Sequence, residues 1–250
     1  MLLVVGGSIA LAIAATSIVR KRVPEEVHRS NNEVAGFMFA AVGVVYGVML
    51  AFVVLVVWQA YLDAVINAER EANTLVNIFR IGQEQPAPYN QQMAAAVVDY
   101  TQKVIGDEWR QMELGQESPA ARDALEQLWA VHRAMHSSDQ PQILHQDYFF
   151  DAMEDLGNER RIRLLASREE LPVLMWVLLA GGAIVTLGFT LFFRVPNSLP
   201  HFLMVGLFAG LVGFVLFLIL ELDSPFNGEI HVSSLPFQQS LDLIQRLQGK

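Results

Sequence analysis

The sequence predicts an all-α integral membrane protein, with four transmembrane helices per subunit and an extramembrane helical domain between the second and third. Three observations predict it. Apolar residues make up 53% of the 250, and mean hydropathy is positive at +0.34, with the apolar residues gathered in long uncharged runs. The polar middle keeps a helical period and has no alternating stretch that would signal strands. Between Gln59 and Glu170 there are 19 acidic and 10 basic residues, so the whole net charge of −9 sits in that one segment. The expected domains are therefore 1–58 (first two crossings with a basic turn), 59–170 (acidic helical domain), 171–220 (last two crossings) and 221–250 (tail).

The first crossing is Leu2 to Val19, an uncharged, mainly apolar run of 18 residues. Nothing basic precedes it and Arg20-Lys21-Arg22 follow, the reverse of a secretory signal, so it reads as a retained helix with the basic triplet in the cytoplasm. Pro24 and Ser30-Asn31-Asn32 read as a break and an amino-cap before the second crossing. From Ala35 to Trp58 no residue is charged, roughly 36 Å of helix, a little more than a hydrocarbon core. Asn32, Gly36, Phe39, Gly43, Gly47, Leu50 and Val54 share one face of it. Such a small-residue face packs helices in lipid. Alternatively, with Tyr46, it lines a conduction path around an oligomer axis, Leu50 and Val54 forming an apolar constriction. No Gly or Pro lies between Trp58 and Ile81, so the helix is expected to continue out of the membrane, carrying Asp63, Asn67 and Glu71 at an outer mouth.

Pro86 and Pro88 end that helix. Asn90–Gln111 reads as one helix with Met93, Val97, Tyr100, Val104 and Trp109 inward. Ser118-Pro119 reads as a cap and first-turn proline, and Asp147–Arg168 as a further helix leading back to the membrane. Leu171–Phe193 and Phe202–Leu220 are the third and fourth crossings, with glycines at packing spacing. A short helix from about Pro236 to Leu247 closes the chain. Four crossings put the acidic domain and both termini on one side. The basic triplet makes that side periplasmic, in a multi-pass protein of the bacterial inner membrane.

The order N-x-x-x-G-F-x-F-A-x-x-G-x-x-Y (Asn32 to Tyr46), the Leu50–Val54 run with Trp58, Arg160 to Pro172, and L-D-x-P-F-x-G-x-x-x-V-S (Leu222 to Ser233, with Asp223, Pro225, Phe226 and Gly228) resembles the bacterial bestrophin-like domain family. Bestrophins themselves are oligomeric anion channels with four membrane helices per subunit and a hydrophobic neck on the second. The resemblance therefore implies a homo-oligomer, tetrameric or pentameric, in contact with lipid and inorganic ions. Bestrophins keep their soluble parts and termini in the cytoplasm, opposite to the side that the basic triplet assigns here.

Other chemistry is weakly signalled. Glu221 and Asp223 with Asn227 offer oxygens to a hard cation, but a capped turn needs the same residues. His132 and His136, with Asp139 and His145 nearby, lack the H-E-x-x-H glutamate. With no cysteine there is no disulfide, thiolate metal site or Cys nucleophile. No hydrolase elbow, phosphate loop or dinucleotide fingerprint occurs, so neither an enzyme nor a cofactor is expected. The acidic surface disfavours nucleic acid. The crossings carry no ionisable group between their ends, which argues against a proton-coupled pump. An ion channel and a non-conducting scaffold or sensor remain.

Overall fold

The computed structural model describes residues 1–22, 25–135, 140–193 and 198–249, with side chains described at 1–22, 36–135, 147–193 and 198–249. The described residues are helical with no strand, in the order α1 (Leu2–Arg22), α2 (Glu25–Gln83), α3 (Tyr89–Lys103), a π-helical turn (Val104–Glu108), α4 (Trp109–Met112), α5 (Pro119–Ala134), α6 (Gln140–Ala166), α7 (Val173–Thr190), α8 (Ser198–Asp223) and α9 (Leu235–Gln248). They form two compact units: residues 1–59 with 170–223, and residues 60–169 with 224–250.

The first unit holds α1, the first part of α2, α7 and α8, each long and apolar enough to span a bilayer. Leu3, Phe37, Val44, Phe52 and Leu207 are all exposed on its outside, as a lipid solvent permits and water would not. Inside the unit, small residues set the packing. An added Cβ at Gly206 would make ordinary contact with Ile9 and Ile13 of α1, one at Gly210 would press on Ile9, and one at Gly213 would collide with Ser8. Ser8 Oγ lies 2.8 Å from Val5 O on its own helix and 3.2 Å from Ala209 O across the interface. The ring of Tyr46 occupies the space a side chain would need at Gly182, and its hydroxyl donates to Leu179 O at 3.0 Å. At the base of the unit, Asp223 accepts from the Leu171 N–H at 2.7 Å and from Trp176 Nε1 at 3.2 Å. A carboxylate thereby meets the donors that enter α7, where Pro172 supplies none.

Helix α2 is longer than its sequence suggests, 59 residues and roughly 88 Å. The Ser30-Asn31-Asn32 stretch does not cap it; the helix starts at Glu25, directly after Pro24, and runs through those residues. Serine and asparagine inside a helix each cost under about 0.7 kcal/mol, too little to stop an extended helix.

The second unit wraps residues 60–83 of α2 with α3 to α6 and α9. Ala64, Ala68, Leu75, Ile78 and Phe79 of α2 meet Met93, Val97, Tyr100, Leu128, Phe149, Met153, Leu156 and, from the tail, Phe226, Phe237 and Ile244. Ser118 Oγ accepts from Ala121 N at 3.2 Å with Pro119 in the first turn, the cap its dipeptide announces. The expected single helix over Asn90–Gln111 is instead interrupted by the π-helical turn. Tyr100, Val104, Glu108 and Met112 follow one another at four-residue steps and all are buried. In a pure α-helix three such steps would rotate the side chains by about 40° each, and the wider turn removes part of that drift. The result is that Glu108 stays on the buried face.

Candidate functional site

The site is built on α2, whose two stretches do different work. In the first unit, Tyr46, Leu50, Val53 and Val57 are buried, Tyr46 against α7. Phe39 stands edge-on to Phe193 (centroids 5.6 Å apart) and to Phe208 (5.7 Å). Gly43 and Gly47 lie on the margin of that buried face, and a Cβ at either would meet nothing within 4 Å. They edge an open apolar groove of about 650 Å³ that also takes in Val54 and, from α8, Leu211 and Val215. Of the eight residues expected on one path, Phe39, Tyr46 and Leu50 pack against other parts of the chain and also line this groove. Gly43, Gly47 and Val54 border open space, Gly36 sits beside Phe193, and the side chain of Asn32 lies outside the described residues.

In the second unit the three expected outer-mouth residues separate. Asp63 is exposed. Asn67 turns inward and donates from Nδ2 to Glu159 O at 2.7 Å. Glu71 is fully buried, so the expectation that it stands in a solvent-facing ring is corrected: α3 and α6 cover that face of α2. Its carboxylate receives Arg163 Nε at 2.6 Å, Arg163 Nη2 at 2.9 Å and the Tyr100 hydroxyl at 2.8 Å.

Arg163 holds the centre of a cluster that the sequence reading did not find. Its Nη2 also donates to Glu108 Oε1 at 2.7 Å, and Glu108 accepts from Arg160 Nε at 3.1 Å and Nη2 at 2.5 Å. The Arg163 guanidinium stacks near Trp109 (5.3 Å to the centroid) and Phe237 (5.5 Å), with Met112 Sδ at 2.7 Å from Nη1. Two carboxylates and two guanidiniums cancel, and each charge is held by directed hydrogen bonds, which offsets the cost of taking it out of water. Burial alone would raise the Glu108 pKa, but Arg163 and Arg160 more than reverse that and hold it below the ordinary carboxyl value. Burial, with the Glu71 charge beside it, raises the Tyr100 hydroxyl, and it stays protonated to donate to Glu71. No member is left free to bind or react; the cluster ties α2, the π-helical turn and α6 together beneath a lid from α9.

A signal for it existed. Glu71 falls in phase with Ala64, Ala68, Leu75 and Ile78, and Arg160 and Arg163 in phase with Phe149, Met153 and Leu156. Opposite charges sitting inside two apolar stripes mark a paired interior.

The exposed face of α2 beyond the membrane is instead formed by Asp63, Ile66, Glu69, Arg70, Asn73, Asn77 and Arg80. The tail motif is structural. Asp223 uses both carboxylate oxygens on α7, and Pro225 O accepts from Val232 N at 2.7 Å. Gly228 takes φ 90°, open to glycine. Phe226 is buried edge-on to Trp109, whose Nε1 donates to Val232 O at 3.1 Å. Of the two weak cation candidates, Asp223 has both carboxylate oxygens engaged, by Leu171 N and Trp176 Nε1. His132 stacks on Phe149 (5.0 Å, 17°), while His136, Asp139 and the His145 side chain lie outside the described residues.

A model described as the bestrophin-like domain matches residues 6–237, a stretch that takes in the four apolar spans, the first from residue 6 on, and the L-D-x-P-F-x-G tail. The chain belongs to the bestrophin-like domain family. Among solved structures, this bestrophin-like protein is similar to a point mutant of a bacterial bestrophin homolog from Klebsiella pneumoniae, at 13% identity and TM-score 0.64 over 97% of this chain and 96% of that one. A second mutant of that homolog gives TM-score 0.65 at 13% identity over 97% and 94%. A variant described only as a membrane protein gives 0.65 at 13% over 97% and 96%. At that identity the likeness establishes the shared fold. No functionally curated protein matches the chain.

Proposed function

We propose that the protein is a homo-oligomeric ion channel of the bacterial inner membrane, tetrameric or pentameric, whose path runs between subunits along α2. The observation that carries this is the open margin of α2. A Cβ at Gly43 or Gly47 would meet no described atom within 4 Å, as would one at Gly6, Gly7, Gly181 or Gly188, whereas Gly182, Gly210 and Gly213 are each closed by a side chain of the same chain. Gly43 and Gly47 stand out because they also edge the α2–α8 groove. Within the membrane the path is lined by Gly36, Gly43, Gly47 and Val54, with Asn32 at its entrance and Phe39, Tyr46 and Leu50 packed behind. Outside it continues over Asp63, Asn73 and Asn77. The family likeness to bestrophins, which are oligomeric anion channels, supports the same reading, and so does the absence of ionisable groups inside the spans.

With Glu71 neutralised, the exposed stripe carries Asp63 and Glu69 against Arg70 and Arg80, two charges of each sign, so it does not concentrate cations. The basic triplet Arg20-Lys21-Arg22 supports a periplasmic placement of the helical unit.

The test is flux. Liposomes holding the purified protein should pass small ions faster than empty ones, and Gly43→Leu should block that flux while leaving particle mass unchanged. Equal leak with and without protein, across anions and cations, removes the channel. Loss of assembly in Gly43→Leu would instead mark the face as a packing seam of a non-conducting scaffold.

A further inference from the structure

Glu159 is a carboxylate that the ion-paired cluster leaves out. It stands half-buried on α6, beside Arg160, where α6 meets α2. Its backbone carbonyl accepts from Asn67 Nδ2 at 2.7 Å, and its side chain accepts from the Thr74 hydroxyl. The other carboxylate oxygen, Oε2, is enclosed, and no hydrogen-bond donor among the described residues reaches it.

The charges around it do not supply what is missing. Asp155 faces it from one turn earlier on α6, and Glu71 faces it from α2. Arg70 of α2 is the opposing cation, but its side chain is exposed to solvent. Arg160 and Arg163, close by on α6, are turned to Glu108 and Glu71. Burial foremost, then the Glu71 and Asp155 charges, lift the Glu159 carboxyl above its ordinary value, against the pull of Thr74 and Arg70. An ionised carboxylate with an enclosed bare oxygen costs free energy for as long as it stays inside. A bound metal ion would remove that cost, but the described residues hold no group of three acidic or histidine side chains that could ligate one. A proton removes it with no further ligand.

We propose that Glu159 is a proton-operated latch on the seam between α2 and α6. Carrying a proton, it lies inward against Thr74 and holds residues 155–166 on α2. Ionised, it turns out to solvent and that stretch loosens, the Asn67 bond opening with it. The proposal is independent of ion conduction.

The test compares the full-length protein in detergent with Glu159→Gln, an isosteric and permanently neutral side chain, from pH 4.5 to about 8.5. A carboxyl whose folded value is raised contributes stability that is present below 4.5 and lost as pH rises through that folded value. The two proteins should therefore melt together at pH 4.5, and Glu159→Gln should melt higher by about 2 °C or more once the native side chain ionises. Losses on acidification that come from other groups are common to both proteins and cancel in the difference. Hydrogen exchange over 155–166, corrected for its intrinsic pH dependence, should be at least about threefold faster in the native protein at the alkaline end, with α9 unchanged. Asp155→Asn removes a like charge and should move the midpoint of this change to lower pH, a shift that packing alone does not produce. A melting difference that does not vary with pH, or a midpoint that Asp155→Asn leaves in place, overturns the proposal. So does a difference at alkaline pH that added magnesium closes, because Oε2 would then belong to a cation site.

Discussion

Arg163 is the residue whose loss should hurt most. It is fully buried and neutralises two carboxylates at once, so Arg163→Leu leaves Glu71 facing only a tyrosine hydroxyl and Glu108 only Arg160. Removing one partner of such a buried pair costs about 3–5 kcal/mol, read as a lowered melting temperature of the detergent-solubilised protein. Tyr100→Phe removes one bond to an acceptor that keeps two others, so about 1 kcal/mol is expected from the same measurement. The pH dependence has a definite sign. Glu108 is depressed by Arg163 and Arg160, so its contribution is present above the ordinary carboxyl value of 4.5 and is lost as pH falls through its lower folded value. His132 is also depressed, by burial and then by Arg133; the folded protein resists its protonation, and stability declines as pH drops below 6.5. Melting temperature should therefore fall in two stages on acidification, with His132→Gln flattening the upper stage and Glu108→Gln the lower one.

At the scale of elements, glycines divide by what surrounds them. Gly213→Leu drives a side chain into Ser8 and should separate α1 from α8, lowering the melting temperature. A Cβ at Gly43 meets no described atom of its own chain within 4 Å, so the effect of Gly43→Leu is expected from neighbouring copies. The crossings and the polar helical segment were legible because uncharged length and a 3.6 period leave few alternatives. Glycine spacing could not say which stripe is used inside the chain, because Gly43 and Gly182 look alike until Tyr46 is seen covering only the second. The π-helical turn was illegible for a related reason: it changes phase without a Pro or any other breaker, and only the burial of Glu108 reveals it. Glu71 was misplaced because a carboxylate beyond a membrane span reads as solvated unless its arginine, 92 positions away, is considered with it.

For the whole molecule, side and stoichiometry are directly measurable. The chain has no cysteine, so Leu114→Cys, at a 74% exposed position, provides a unique thiol. A membrane-impermeant maleimide should label it in cells with a permeabilised outer membrane if the helical unit is periplasmic, and only after inner-membrane lysis if it is cytoplasmic. Native mass of the purified particle should be a small integer multiple of 27.9 kDa. The helical unit is also assembled from two stretches of sequence, 60–169 and 224–250, with both later membrane helices between them. A ribosome must therefore deliver α7 and α8 before Phe237 can close over Arg163. Until then the nascent protein exposes a half-covered charged interior, so chains whose last spans fail to insert would remain recognisable to proteases as unfinished.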